Sequence, residues 1–192
     1  MLQRMQERAG SLGAAVYAAV LALVVLAAAG AVGLMLHQPW LFPSLGPTVM
    51  LFFESPQQKA SRPLNALIGH AVALLAGIAA VLGLGLLGAP SAAEGGLTPA
   101  YLVAGAGSLA VTTFVLTALR TPHPPAGATT LIVSLGVLSG AAAWASMAGA
   151  VVLVTALGWG LNLLLGTRPA GAPAAGGGTS READASHGDS TG

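Results

Sequence analysis

The sequence predicts an all-α polytopic membrane protein made of two inverted three-segment repeats, each with one broken span that is half extended and half helical. Three observations lead there. Of the 192 residues, 55% are hydrophobic and only 7% charged, whereas an ordinary soluble domain is about a quarter charged. Residues 9–53 hold no Asp, Glu, Lys or Arg, a stretch longer than the about 20 apolar residues that cross a bilayer as helix. Two short segments interrupted by proline and glycine carry one pattern, 81 residues apart.

Four full-length apolar segments cover about 13–36, 67–87, 100–119 and 142–165. The first follows Arg4 and Arg8 and contains "AAAG" from Ala27, features shared with secretory leaders. Its apolar run, 12–36, exceeds the about 7–15 residues of a leader's apolar region, so it is expected to remain as a span. Two shorter segments, 41–53 and 123–138, are broken near their starts. The tail, 169–192, is rich in Gly, Ala and Ser and is expected to be a disordered cytoplasmic extension. The chain thus divides into a cytoplasmic N-terminus (1–12), a transmembrane domain (13–168, with repeats at about 13–87 and 100–165) and the tail.

Charge decides whether the short segments cross or re-enter. If both cross, Arg4, Arg8, Lys59, Arg62, Arg120, Arg168 and Arg181 share one side, and the opposite loops (37–40, 88–99 and 139–141) hold no Lys or Arg. That bias places the basic side and both termini in the cytoplasm, across what is expected to be a bacterial inner membrane. Length allows it: six extended residues at about 3.3 Å each and seven helical ones at about 1.5 Å span the roughly 30 Å core.

The first broken segment reads "PSLGPTVML" from Pro43 and the second "PPAGATTLI" from Pro124; Gly46 and Gly127, like Thr48 and Thr129, stand 81 apart. Three crossings per half make the second half inverted, and inverted repeats with broken helices are a transporter architecture. The helical parts, expected to begin at Pro47 and at the threonines of the second segment, would then point their N-termini at each other near the midplane. A helix N-terminus has unsatisfied N–H groups and about half a positive charge, so the pair suits a small anion. Ser44, Thr48, Thr129 and Thr130 are the expected hydroxyl donors, and Gly46 and Gly127 let backbone approach the ligand. Pro124 and Pro125 are expected to hold an extended entry.

"HPPAGAT", from His123 to Thr129, resembles the signature of the HPP family of integral membrane proteins. "LFPSLGPT", from Leu41, and "NALIGH", from Asn65, resemble two further motifs of that family, in the same order. Pro47 and Leu64 stand where the family often has Ala and Arg. The resemblance implies a membrane domain usually described with four spanning helices, and plant and cyanobacterial relatives linked with nitrite transport. The expected function is a transporter or channel for a small inorganic anion, nitrite being the family-led candidate; the alternative is a non-transporting membrane scaffold or assembly subunit.

Among the remaining polar residues, His123 is read as a proton donor or acceptor and His70 as a supporting intramembrane residue. Asn65 is expected to cap the helix that follows it, and His37 to sit at the interface. Trp40, Tyr101 and Trp144 read as interfacial aromatics, and Trp159 as packed. No metal or cofactor is expected, because the histidines lack neighbouring carboxylates and cysteine is absent. No enzyme is expected either, as neither an acid pair nor a nucleophile beside a base appears. Basic residues are scattered rather than patched, so the partners expected are lipid, a small anion and a second copy of the chain, not nucleic acid.

Overall fold

The computed structural model describes residues 2–167; the tail, 169–192, with Arg168 and Arg181, lies outside them. Seven α-helices and no strand occur among these residues: α1 (Leu2–Leu36), α2 (Leu45–Glu54), α3 (Pro63–Gly83), α4 (Ala92–Gly95), α5 (Pro99–Ala118), α6 (Pro125–Ser134) and α7 (Ala141–Leu164). Four are long and apolar enough to cross a membrane: Ala9–Leu36 within α1, then α3, α5 and α7. α1 is interrupted at Gly10, whose φ of 58° breaks the helix where the charged N-terminal stretch meets the apolar span. α3 begins at Pro63, earlier than hydropathy suggests, because proline is at home in a first turn.

α2 and α6 occupy the two broken segments, and both begin earlier than expected. α2 starts at Leu45 rather than Pro47, and α6 at Pro125 rather than at the threonines. Pro124 is itself helical in backbone (φ −52°, ψ −35°). The first-turn N–H groups of a helix have no intrahelical partner, so proline there sacrifices nothing and its fixed φ favours the helix. These prolines start helices; they do not hold an extended entry. The extended lead-ins are correspondingly short.

The helices pack as two triangles. α2 lies against α1 and α7, which touch each other; α6 lies against α5 and α3, which also touch. The triangles meet through α3 with α7 and α2 with α6. The first triangle holds most of the apolar core, with Val25, Val49, Phe52, Phe53, Met147 and Val154 buried. Large side chains such as Leu23, Leu75, Phe114 and Leu164 stay exposed on the outside, as suits residues that meet lipid tails.

Glycine sets the closest approaches. A Cβ at Gly77 of α3 would lie 2.7 Å from Val133 of α6, and one at Gly158 of α7 would lie 2.5 Å from Phe52 of α2. Close backbone contact is what small residues contribute to packing in a bilayer, where burial from water supplies no drive between helices.

Three aromatic and polar expectations change. Tyr101 is buried, and its hydroxyl donates to Pro90 O at 2.7 Å. Trp159 is 41% exposed and faces outward instead of packing. Asn65 sits inside the first turn of α3 and does not cap it; its Nδ2 donates to Lys59 O (2.9 Å) and Pro122 O (3.4 Å), tying the α2–α3 and α5–α6 connections together.

Candidate functional site

Where the triangles meet, four polar side chains form one buried cluster: Thr48, His70, His123 and Thr129, each at most 2% exposed. His70 lies about two turns into α3. Its two ring nitrogens are taken by one threonine from each short helix: Nε2 meets Thr48 Oγ1 at 2.9 Å, and Nδ1 meets Thr129 Oγ1 at 2.8 Å. His123 stands just before α6, its ring edge-to-face against that of His70 with centroids 5.0 Å apart. Gly69 makes room for it, since a Cβ there would lie 2.9 Å from His123 Cβ.

The bonding fixes which nitrogen of His123 donates when both rings are neutral. His123 Nδ1 faces Ala60 O at 2.9 Å, and a carbonyl only accepts, so Nδ1 carries the proton and Nε2 is left as an acceptor. His70 Nε2 and Thr48 Oγ1 each lie 3.3 Å from that acceptor; with His70 protonated at Nε2, it donates toward His123 Nε2 and toward Thr48 Oγ1. The Thr48 hydroxyl passes its own proton to Ser44 O at 3.0 Å, and Thr129 donates to the free Nδ1 of His70. Every polar atom of these side chains has a partner, as a group this deep in low dielectric requires. The contact between the two Nε2 atoms accommodates one proton.

Other expected site residues lie elsewhere. Ser44 Oγ points to Met147 Sδ (4.0 Å), and Thr130 Oγ1 bonds Thr112 Oγ1 (2.9 Å) and Ala126 O (3.2 Å), so neither joins the cluster. Pro125 is buried at the start of α6, and Asn65 stands apart, holding the adjoining loops. Thr48 and Thr129 are enclosed by protein rather than by open space.

Two clefts approach the first turns of the short helices. One, of about 500 Å³, is lined by Lys59, Thr112, Thr113, Thr117, Arg120, Pro122, His123, Pro124 and Gly127 with Leu109 and Leu116. The other, of about 1130 Å³, runs along α1 to His37, Gln38, Trp40, Phe42, Pro43 and Gly46. Gly127 and Gly46 thus sit one in each cleft. Residues Thr112, Thr113 and Thr117 and the cations Lys59 and Arg120 are not singled out by the sequence as ligand contacts. The available signal is the spacing of Thr113 and Thr117, four apart in an apolar span and hence on one face.

The family model described as "HPP, transmembrane region" matches residues 7–170. No curated protein matches the chain, and no solved structure does.

Proposed function

The chain belongs to the HPP family of integral membrane proteins, and from that premise we propose that it is a transporter or channel for a small inorganic anion, with nitrite the candidate suggested by the family. The observation that carries this reading is His70: a buried ionisable residue inside an apolar span, held at both nitrogens by threonines 81 residues apart in the two short helices. Intramembrane ionisable groups usually mark a substrate or proton pathway. Thr48 and Thr129 come from the N-terminal turns of α2 and α6, where helix dipoles favour negative charge.

An inverted repeat underlies the arrangement. Exchanging α1, α2 and α3 with α5, α6 and α7 turns every packed pair among these six helices into another packed pair. The tight glycine contacts obey the same exchange, for Gly77 and Gly158 are 81 apart, as are their partners Phe52 and Val133. Two such coincidences in unrelated side chains support the repeat more strongly than the Pro, Gly and Thr motif alone.

In this reading the structure is the occluded form. An anion entering between the short helices takes the Thr129 hydroxyl and the His70 Nε2 proton, which the cluster now bonds internally. A proton arriving at His123 Nε2 makes that ring a cation and fills the contact between the two Nε2 atoms, so the His70 Nε2–H loses its acceptor there and is free to bond the anion, whose charge the cation balances. One proton therefore accompanies the rearrangement. Purified protein in liposomes is expected to pass nitrite faster when the source side is acidic; absence of flux for nitrite, nitrate, chloride and formate under any pH gradient rejects the proposal.

The second reading, a membrane scaffold, draws on the complete burial of Thr48 and Thr129 and on their bonds to His70. It requires that these residues never meet water.

A further inference from the structure

The smaller cleft carries chemistry that the buried cluster does not use. Lys59 and Arg120 lie at its mouth, and neither makes an ion pair among the described residues. Asn65 bonds the carbonyls of Lys59 and Pro122, and His123 Nδ1 bonds Ala60 O. Those bonds pin the two loops together and set both cations around one opening.

The backbone at Arg120 is unusual. α5 ends in a Schellman arrangement, with Arg120 N–H donating to Thr117 O (3.0 Å) and Thr121 N–H to Leu116 O (3.0 Å). Arg120 occupies the left-handed position (φ 55°), where α3 and α7 place Gly85 and Gly166. A side chain there is disfavoured, because Cβ comes too close to the following carbonyl oxygen. The cleft holds an arginine where the local fold prefers glycine.

Below the mouth, the wall of α5 presents hydroxyls. Thr113 and Thr117 share a face, Thr113 one turn, about 5 Å, further from the end of α5 than Thr117. Gly127, in the first turn of α6, and His123 just before that helix line the cleft as well. Two cations, hydroxyls along one wall and a helix start all favour an anion, and low-dielectric walls concentrate their field.

We propose that this cleft captures a small oxyanion, drawn in by Lys59 and Arg120, held by the Thr113 and Thr117 hydroxyls, and delivered to the first turn of α6 beside His123. Passage of the anion beyond the cleft rests on the transport reading above, but capture is testable without transport. The chain has no cysteine, so Thr113→Cys introduces a single thiol in the cleft wall. Its reaction is followed with a negatively and a positively charged methanethiosulfonate reagent, because their rate ratio cancels any change in thiolate fraction. The ratio is expected to favour the anionic reagent, and to fall about threefold to tenfold with Arg120→Gln or Lys59→Gln at low salt. Nitrite or formate at constant ionic strength is expected to slow the anionic reagent.

Arg120→Gly serves as a second variant, because it relaxes the left-handed position instead of straining it. It should lower the ratio as Arg120→Gln does while leaving thermal stability unchanged or raised. A ratio indifferent to both cations, a thiol that reacts with neither reagent, or charge-sensitive labelling that no oxyanion slows would each overturn the proposal. Protection without flux in liposomes would leave capture standing and remove the transport reading; flux with no charge dependence at position 113 would do the reverse.

Discussion

The two clefts are lined by corresponding stretches of chain and differ in chemistry. Pro122, His123, Pro124 and Gly127 line the smaller one; Leu41, Phe42, Pro43 and Gly46, each 81 residues earlier, line the larger. Where one has His123 the other has Phe42, and the position 81 after His70 is Val151. Phe42 and Val151 both belong to the apolar core of the first triangle. The long helices that lead into the clefts both end on a left-handed residue other than glycine, His37 for α1 and Arg120 for α5. At these positions 81 residues apart, one cleft therefore carries His123 where the other carries the packed Phe42. A pathway through the molecule would meet Lys59, Arg120 and His123 from one end, and His37 without a cation from the other.

Removing the histidine at the centre tests that difference most strongly. His70→Phe keeps a ring but strands the Thr129 hydroxyl, a loss of about 1–3 kcal/mol for a buried group left unpaired, while Thr48 keeps its bond to Ser44 O. Anion flux should drop at least about tenfold, whereas Val151→Ala, 81 residues later, should leave flux within a few-fold of normal. Equal loss in both would erase the asymmetry.

The glycine contacts test the similarity instead. Gly77→Ala and Gly158→Ala each force a methyl against a neighbour, Val133 or Phe52, and overpacking of this kind costs typically about 1–3 kcal/mol. Thermal unfolding in detergent should show comparable losses, with Gly77→Ala relieved by Val133→Ala. A loss in one half alone would argue against equivalent packing.

The smallest expected effect lies in the α3–α5 connection. The Ser91 N–H and hydroxyl both donate to Glu94 Oε2 (3.1 and 2.9 Å), which holds the Glu94 carboxyl below its ordinary range. Because the folded value is depressed, this contribution is present above the unfolded value and is lost as pH falls through the folded one. Glu94→Gln should remove this contribution, giving a small loss of stability at neutral pH and a flatter acid side of the stability profile. Unaltered curves below about pH 4 would show that the bond contributes nothing.

Several of these features are readable in the chain itself. The long spans announce themselves because hydropathy over about 20 residues needs no tertiary information. Thr48 and Thr129 emerge from the repeat, and His123 from its motif. The starts of α2 and α6 are misplaced by the sequence pattern because a proline followed by glycine looks like a break, whereas a first turn tolerates both. Lys59 and Arg120 read only as markers of membrane side, since nothing local says that Asn65 draws their loops to one opening. Tyr101 and Trp159 can be placed only by distance from span ends, while their actual surroundings depend on which face each helix turns to its neighbours.

In the transport reading, the enclosed threonines belong to a pathway that opens to water. Thr48→Cys and Thr129→Cys, made singly, should react with water-soluble thiol reagents in native membranes, more slowly than Thr113→Cys, and nitrite should retard them. If the thiol at position 113 reacts and both buried positions stay silent across a range of pH and anion conditions, the cluster is packed structure and the transport account is contradicted.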